Sequence, residues 1–430
     1  MKVRLLQFFL PTICVYLLIF CSPEGTNAAE PAAATTATEQ SVAPYRLIDF
    51  QADRLTGNWA GGRDWLEARG IKWSLFSNVY YGGNARGGNS TNDAYRLSQS
   101  TDMFVQLDFQ RMKVIDGGLV LLHVKDRYRE NINPEVGAIS APLDDADGNR
   151  NLYVAQFWYQ QDLAGKRLQL RIGYLDQQTM LDRNACANSE DKQFMTTYLD
   201  NNNATIPLAI GLGASLFFSP TDWWSMVIGS ADGDATPLDD GFKTTFDGKH
   251  EFFAFFQNDF KLSLNSRKGP LDGTYRFGLL YDPRQRPVLR DMDRKQSGDY
   301  GAYISFDQTV YRESQESKQG LGLFARYGYR HGDVNRNEHF WSTGLQYVGL
   351  LERRDADVVG LGMYQLQGSK DYRTYVNPDF DREIGTELYY RIQLTPNTTL
   401  TPDIQYIHQP GGRSSDDDAM VVALRLRTSF

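Results

Sequence analysis

From Ile71 onward, apolar and polar residues alternate with a period of two in short segments separated by turn formers. That pattern predicts β-strands rather than helices. The last stretch, DDAMVVALRLRTSF, shows it plainly: Met420, Val422, Leu424, Leu426, Thr428 and Phe430 share one face, and Val421, Ala423, Arg425, Arg427 and Ser429 share the other. The first face is apolar and the second carries the charge. A two-faced strand left unpaired at a chain end would fray or aggregate. The pattern therefore predicts that this strand is paired.

Sixteen such segments are expected, at 71–82, 101–112, 117–127, 151–164, 167–175, 207–219, 223–231, 250–264, 273–283, 299–312, 319–330, 339–351, 356–367, 383–394, 398–408 and 418–430. Their connections alternate in length. GGNARGGNSTNDAYRLSQS is followed by KVID, YRENINPEVGAISAPLDDADGNR by AGK, the long segment Asp176 to Ile206 by PTD, and GSKDYRTYVNPDFD by PNT. Long and short connections alternating around an even-stranded meander describe an outer-membrane barrel, with long loops outside and short turns in the periplasm. The expected fold is all-β: a 16-stranded antiparallel transmembrane β-barrel over residues 71–430. Closure pairs the last strand with the first, which satisfies every backbone group in lipid, and makes Phe430 the assembly signal read by the barrel-assembly machinery.

The faces follow. In KRLQLRIGY, Leu168, Leu170, Ile172 and Tyr174 are expected outside and Arg167, Gln169, Arg171 and Gly173 inside. In TYRFGLLY, Tyr275, Phe277, Leu279 and Tyr281 face out and Arg276 faces in; in GLGLFARYGYR, Arg326 and Arg330 face in. An apolar exterior with aromatic ends suits lipid, and a polar interior suits a water-filled channel.

Composition adds an address. Lys2 and Arg4 precede the apolar run Leu5 to Phe20, and TNAAE supplies small residues for cleavage, so 1–29 reads as a signal peptide. The bulky Phe20 before Cys21 argues against lipidation. Removing the signal takes away Cys14 and Cys21 and leaves Cys186 alone, so no intramolecular disulfide is expected. The net charge moves from −8 to −9 with the loss of Lys2, Arg4 and Glu24, which excludes the basic footprint of a nucleic-acid binder. Residues 30–54 are expected to form a flexible linker and extension, and 55–70 a short periplasmic helical segment. The longest apolar stretch beyond the signal, Ile206 to Phe218, is too short and too interrupted for a membrane helix.

Three motifs in order, LTGNWAGGRDWLEARGI, QFWYQQDLAGKRLQLRIGYLD and TELYYRIQLTPNTTLTPDIQYIHQPGG, together with a terminal strand ending in Phe, resemble the carbohydrate-selective porins of the OprB type. The resemblance runs from about Leu55 to Phe430. It implies a monomeric sixteen-stranded outer-membrane channel for the facilitated diffusion of mono- or small oligosaccharides. Long loops would fold inward, and arginines with acidic and aromatic partners would line the constriction. Guanidinium forks suit vicinal hydroxyls, and aromatic rings stack on the apolar face of a pyranose. The alternative is a general diffusion pore or one selective for sugar acids.

Alternation nominates the lumen residues: Gln106 and Asp108, Gln156 and Trp158, Arg171, Arg276, Arg326, Glu387 and Arg391, Asp403 and Gln405, Arg425 and Arg427. No cofactor and no metal site is expected. The turn DDADGNR spaces Asp145, Asp147 and Asn149 like calcium ligands but lacks the later bidentate Glu, and reads as a solvated acidic loop. The five histidines His123, His250, His331, His339 and His408 stand in no catalytic motif, so no enzyme is expected.

Overall fold

The computed structural model describes residues 47–128, 132–146, 150–207, 210–235 and 251–430. The expected signal peptide and most of the linker lie outside the described residues, as do Asp147 and Asn149. The barrel strands are β1 (Ile71–Arg86), β2 (Tyr95–Asp108), β3 (Gly118–Tyr128), β4 (Arg150–Leu163), β5 (Leu168–Asp176), β6 (Ile210–Phe218), β7 (Trp224–Asp232), β8 (Phe252–Ser266) and β9 (Gly269–Asp282). They continue with β12 (Asp299–Arg312), β13 (Gly320–Arg330), β14 (Asn337–Val348), β15 (Val358–Gly368), β16 (Arg382–Thr395), β17 (Thr398–His408) and β18 (Ala419–Ser429). A small hairpin, β10 (Arg286–Val288) and β11 (Asp291–Gln296), stands in the connection from β9 to β12.

The sixteen barrel strands form one closed antiparallel sheet, and each of the sixteen expected segments overlaps one of them. One boundary moves. The second strand runs from Tyr95 to Asp108 rather than over 101–112; it stops early because Met112 N–H turns back to Asp108 O (3.0 Å) and Val114 N–H to Phe109 O (2.8 Å).

The terminal strand closes the barrel. Its register against β1 runs from Phe76 opposite Ser429 to Asn84 opposite Val421, and the Phe430 N–H donates to Leu75 O at 2.8 Å. Closure leaves no open edge, the condition for strands in hydrocarbon. The segment before the barrel is tied to the short-turn end: Leu55 N–H donates to Ser429 O (2.8 Å), and the Asn397 amide donates to Asp49 O and Ala52 O. Its helix Gly62–Ala68 carries Arg63, whose guanidinium lies over the rings of Trp59 (4.0 Å) and Trp73 (4.8 Å).

The outer face is apolar. Ile172, Ile228, Leu279, Ile304, Leu388 and Leu424 are all exposed. Exposed aromatics stand at both ends: Trp223 and Phe260 beside the short turns, and Tyr281, Tyr300 and Tyr406 towards the long loops. Such a band with aromatic girdles fits a bilayer. Tyr174 departs from the expected exposure and is buried, next to Gly173, where the strand takes φ +140°.

The interior is not simply polar. The connection after β5 folds into the barrel and packs against its inner wall. Phe194 meets Tyr389 edge-on (5.0 Å) and Phe324 (5.7 Å), while Tyr198 packs on Phe340 and Tyr364. Glycines on the wall make room. A Cβ at Gly362 would lie 2.9 Å from the Phe194 ring, and one at Gly328 would collide with Thr205 Oγ1. Apolar burial therefore occurs where the infolded segment meets the wall.

Candidate functional site

Two external connections meet across the lumen. Residues 132–146, between β3 and β4, and 177–207, between β5 and β6, join through Asp144 N–H to Met195 O (2.9 Å) and Thr197 N–H to Ala141 O (3.1 Å). Wall carboxylates hold both segments by their backbones. Glu383 accepts from the N–H groups of Ile139 (2.6 Å), Ser140 (2.9 Å) and Gly411 (2.8 Å), and Glu387 from those of Met195 (2.6 Å) and Thr196 (3.0 Å). Carboxyl oxygens accepting from backbone donors fix the segments in place directionally.

Most of the nominated arginines do the converse and grip carbonyls. Arg326 donates to Asp182 Oδ2 (3.0 Å), Leu199 O (3.1 Å) and Ala187 O. Arg425 reaches Glu190 O (2.8 Å) and Gln193 O (2.9 Å), and Arg391 reaches Lys192 O (3.3 Å). Arg276 pairs with Asp307 (2.6 Å) and donates to Arg183 O; Arg427 pairs with Asp191 (2.8 Å). Each of these side chains makes at least one hydrogen bond to the infolded segment, and Arg276 also pairs with Asp307 on the wall.

The remaining candidates divide. Arg171 lies 4.0 Å over the Trp158 ring and 5.0 Å from that of Phe217, and donates to Gln160 (2.9 Å); Trp158 Nε1 donates to Gln156 (3.1 Å). This forms an aromatic and guanidinium group on the wall. Gln405 donates to Pro142 O (2.9 Å) and to Asp403 (3.0 Å), and Asp403 neighbours Glu387. Gln106 is half-buried opposite Leu121. Asp108 sits at the short-turn end, where it accepts from the Arg111 N–H (3.0 Å) and pairs with the Arg111 guanidinium.

Alternation alone does not single out a cluster on β1 to β3. Lys125 Nζ lies 2.5 Å from Glu190, 2.7 Å from Asp145 and 3.7 Å from Asp102, and His123 pairs with Asp102 at 2.7 Å. Asp145 also accepts from Asn78 (2.9 Å) and Tyr80 (2.8 Å), so it is engaged with the wall rather than solvated in an acidic loop. Burial opposes its charge, but Lys125 and Arg127 outweigh burial and hold Asp145 well below the usual carboxylate range. Burial pushes Glu190 up to about 8 despite Lys125. The run HVKDR did carry a signal, since His123, Lys125 and Arg127 alternate on one face.

At the external end, a cavity of about 430 Å³ is lined by Tyr198, Asn203, Arg284, Arg286, Arg330 and Arg336, with Asn335 and Asn337. Its volume falls within the range of about 300–1,000 Å³ usual for small-molecule sites. Arg284 and Arg286 pair with Asp282, and Arg330 pairs with Asp299. Arg336 is exposed and makes no ion pair among the described residues; its guanidinium lies 5.6 Å from the Phe380 ring. The side-chain oxygens of Asn203 and Asn337 are buried without a hydrogen-bond partner.

Comparisons with known proteins agree with this architecture. Residues 92–430 match the family described as carbohydrate-selective porin, OprB family. Porin B of Pseudomonas aeruginosa is 22% identical over 418 residues, covering 87% of this chain and 91% of that protein. The putative porin QuiX of Acinetobacter baylyi is 22% identical over 414 residues, covering 87% and 93%. The high-pH structure of Pseudomonas putida OprB superposes with a TM-score of 0.80 at 20% identity, covering 88% of this chain and 99% of that one. With a closed sixteen-stranded barrel and a family match over most of its length, the chain belongs to the carbohydrate-selective porin OprB family and is an outer-membrane channel rather than an enzyme.

Proposed function

We propose that small neutral carbohydrates enter this channel through the cavity at the external mouth and then pass the infolded segments, sliding along Arg171 and Trp158. The observation that carries this route is the lining of the cavity. It combines arginine donors, unpartnered amide acceptors at Asn203 and Asn337, and the Tyr198 ring, a set that matches hydroxyls able to donate and accept. Three of the four arginines are already paired with aspartates, which lowers the net field and favours an uncharged polyol. Flux requires that binding be weak enough for release.

Sugar acids are the second reading, favoured by the exposed guanidinium of Arg336 at the mouth. Single-channel current in a planar bilayer, titrated with glucose, maltose, gluconate and an uncharged non-sugar of similar size, separates the two. Saturable block by glucose or maltose, absent with the control solute, supports the neutral route. Block by gluconate alone moves the assignment to sugar acids, and conductance without saturable block describes a general pore.

The same reading includes export by cleavage of residues 1–29, function as a monomer, and delivery to the barrel-assembly machinery through the strand ending at Phe430. The hydrogen bond from Phe430 N–H to Leu75 O supports the last of these, since it places the terminal residue at the closing seam.

A further inference from the structure

The geometry points to a divalent-cation site, of the kind calcium occupies, formed by Asp144, Glu190 and Asp200 where the two infolded segments meet. One carboxylate oxygen from each of the three lies within 4.8 Å of the others. Calcium–oxygen distances of about 2.3–2.6 Å place two ligands of one ion no more than about 5 Å apart, so a single cation can touch all three.

The acidic grouping does not stand alone. Asp200 is 1% exposed and its Oδ1 has no hydrogen-bond partner, while its other oxygen takes the Asn201 amide at 2.7 Å. An unpartnered oxygen in a buried carboxylate is unfavourable unless a cation or a proton meets it. Among the described residues, Arg326 is committed to Asp182, Leu199 O and Ala187 O, while Lys125 and Arg127 act on Asp145, Glu190 and Asp144. Lys125 and Arg127 thus serve Glu190 and Asp144, and leave the Asp200 Oδ1 without a hydrogen-bond partner.

Three features set the ligand class. The donors are all carboxylates, which favours a hard cation over zinc or copper. Asp144 and Glu190 are half-buried rather than sealed, so an ion can arrive from the lumen. Asp144 belongs to the first infolded segment, and Glu190 and Asp200 to the second, so the ion links them. The turn of Asp145, Asp147 and Asn149 resembles a calcium turn only in spacing, and the Asp145 carboxylate is turned towards Lys125, Asn78 and Tyr80. The adjacent Asp144 takes its place, with its Oδ1 steadied by the Thr197 hydroxyl at 2.8 Å.

The test is calcium titration by calorimetry on EDTA-treated, detergent-purified protein, followed by the same titration on Asp200→Asn and Glu190→Gln. One saturable calcium site is expected, with affinity reduced at least tenfold in either variant. Calcium is also expected to slow maleimide labelling of Cys186 in the same infolded segment of the unaltered protein. Absence of saturable binding by the unaltered protein overturns the proposal. So does binding that survives both substitutions, which would assign it to other acidic loops such as 415–418. If Asp200→Asn fails to assemble, Glu190→Gln and the calcium dependence of Cys186 labelling still decide the matter. All three readouts are independent of sugar block, so the fate of the sugar route does not affect them.

Discussion

Arg326 on the barrel wall and Asp182 in the infolded segment form an ion pair with Nε to Oδ2 at 3.0 Å, their side chains 0% and 1% exposed. An inward arginine on a porin strand invites assignment to the substrate. Here it is a latch, and the lumen is shaped by what such latches hold.

Replacing Arg326 by Ala leaves Asp182 buried without its cation and breaks two backbone contacts. Removing one partner of a buried pair costs about 3–5 kcal/mol. The strands do not depend on that pair, so the barrel should stay closed while the infolded segment loosens. Heat-modifiable migration is expected to be normal, and single-channel traces are expected to show larger and noisier conductance. A quiet trace of unaltered conductance counts against the latch.

Arg171 behaves differently, because it holds no part of the infolded segment. It stacks on Trp158 and donates to Gln160. Arg171→Ala should leave conductance steady and weaken sugar block, by a few-fold if one guanidinium contact of about 1 kcal/mol is lost. Unchanged block would remove Arg171 from the proposed route.

Gly328 admits the infolded segment, since a Cβ there would collide with Thr205. Gly328→Val is expected to push that segment off the wall while the strand pairs as before, the β-branched residue being favourable in a strand. Current noise should rise as in Arg326→Ala. Assembly measured by heat-modifiable migration should not change.

Cys186 reports on the same segment. It is buried, and burial pushes its thiol up to about 12. At pH 8 roughly one part in ten thousand is thiolate, against roughly a quarter for an exposed cysteine. Maleimide labelling of the folded protein should therefore be slow and become fast in denaturant, with an intermediate rate in Arg326→Ala. Fast labelling of the folded barrel would show that the segment opens without help.

Deleting Phe430 removes the hydrogen bond to Leu75 at the seam between the first and last strands. The yield of heat-modifiable, membrane-inserted barrel is expected to fall, whereas Phe430→Tyr should assemble normally because an aromatic ring remains at the interface. Full assembly of the truncated chain would exclude Phe430 as a signal.

Strand number, pairing order, closure and, Tyr174 apart, facing were legible along the chain. They rest on local rules: a period of two, turn residues, and long loops alternating with short turns. By the same reasoning Arg276, Arg326, Arg391 and Arg425 were expected inside, and each bonds to the infolded segment. The partners of Arg326, Arg391 and Arg425 were not legible, because they lie in a connection with no repeating pattern and are reached only when that connection crosses the lumen. Arg326 meets Asp182 across 144 positions of sequence, and Arg425 meets Glu190 across 235.

A hint of the infolding was present in the inward glycines at 328 and 362, which clear space on the wall, yet periodicity does not say what fills it. Alternation tells which way a side chain points; what it touches depends on how loops with no periodicity satisfy their buried backbone groups. That choice was made by tertiary structure, through Glu383, Glu387, Arg326 and Arg425, because a loop drawn into a barrel must find partners for every N–H and C=O it takes out of water.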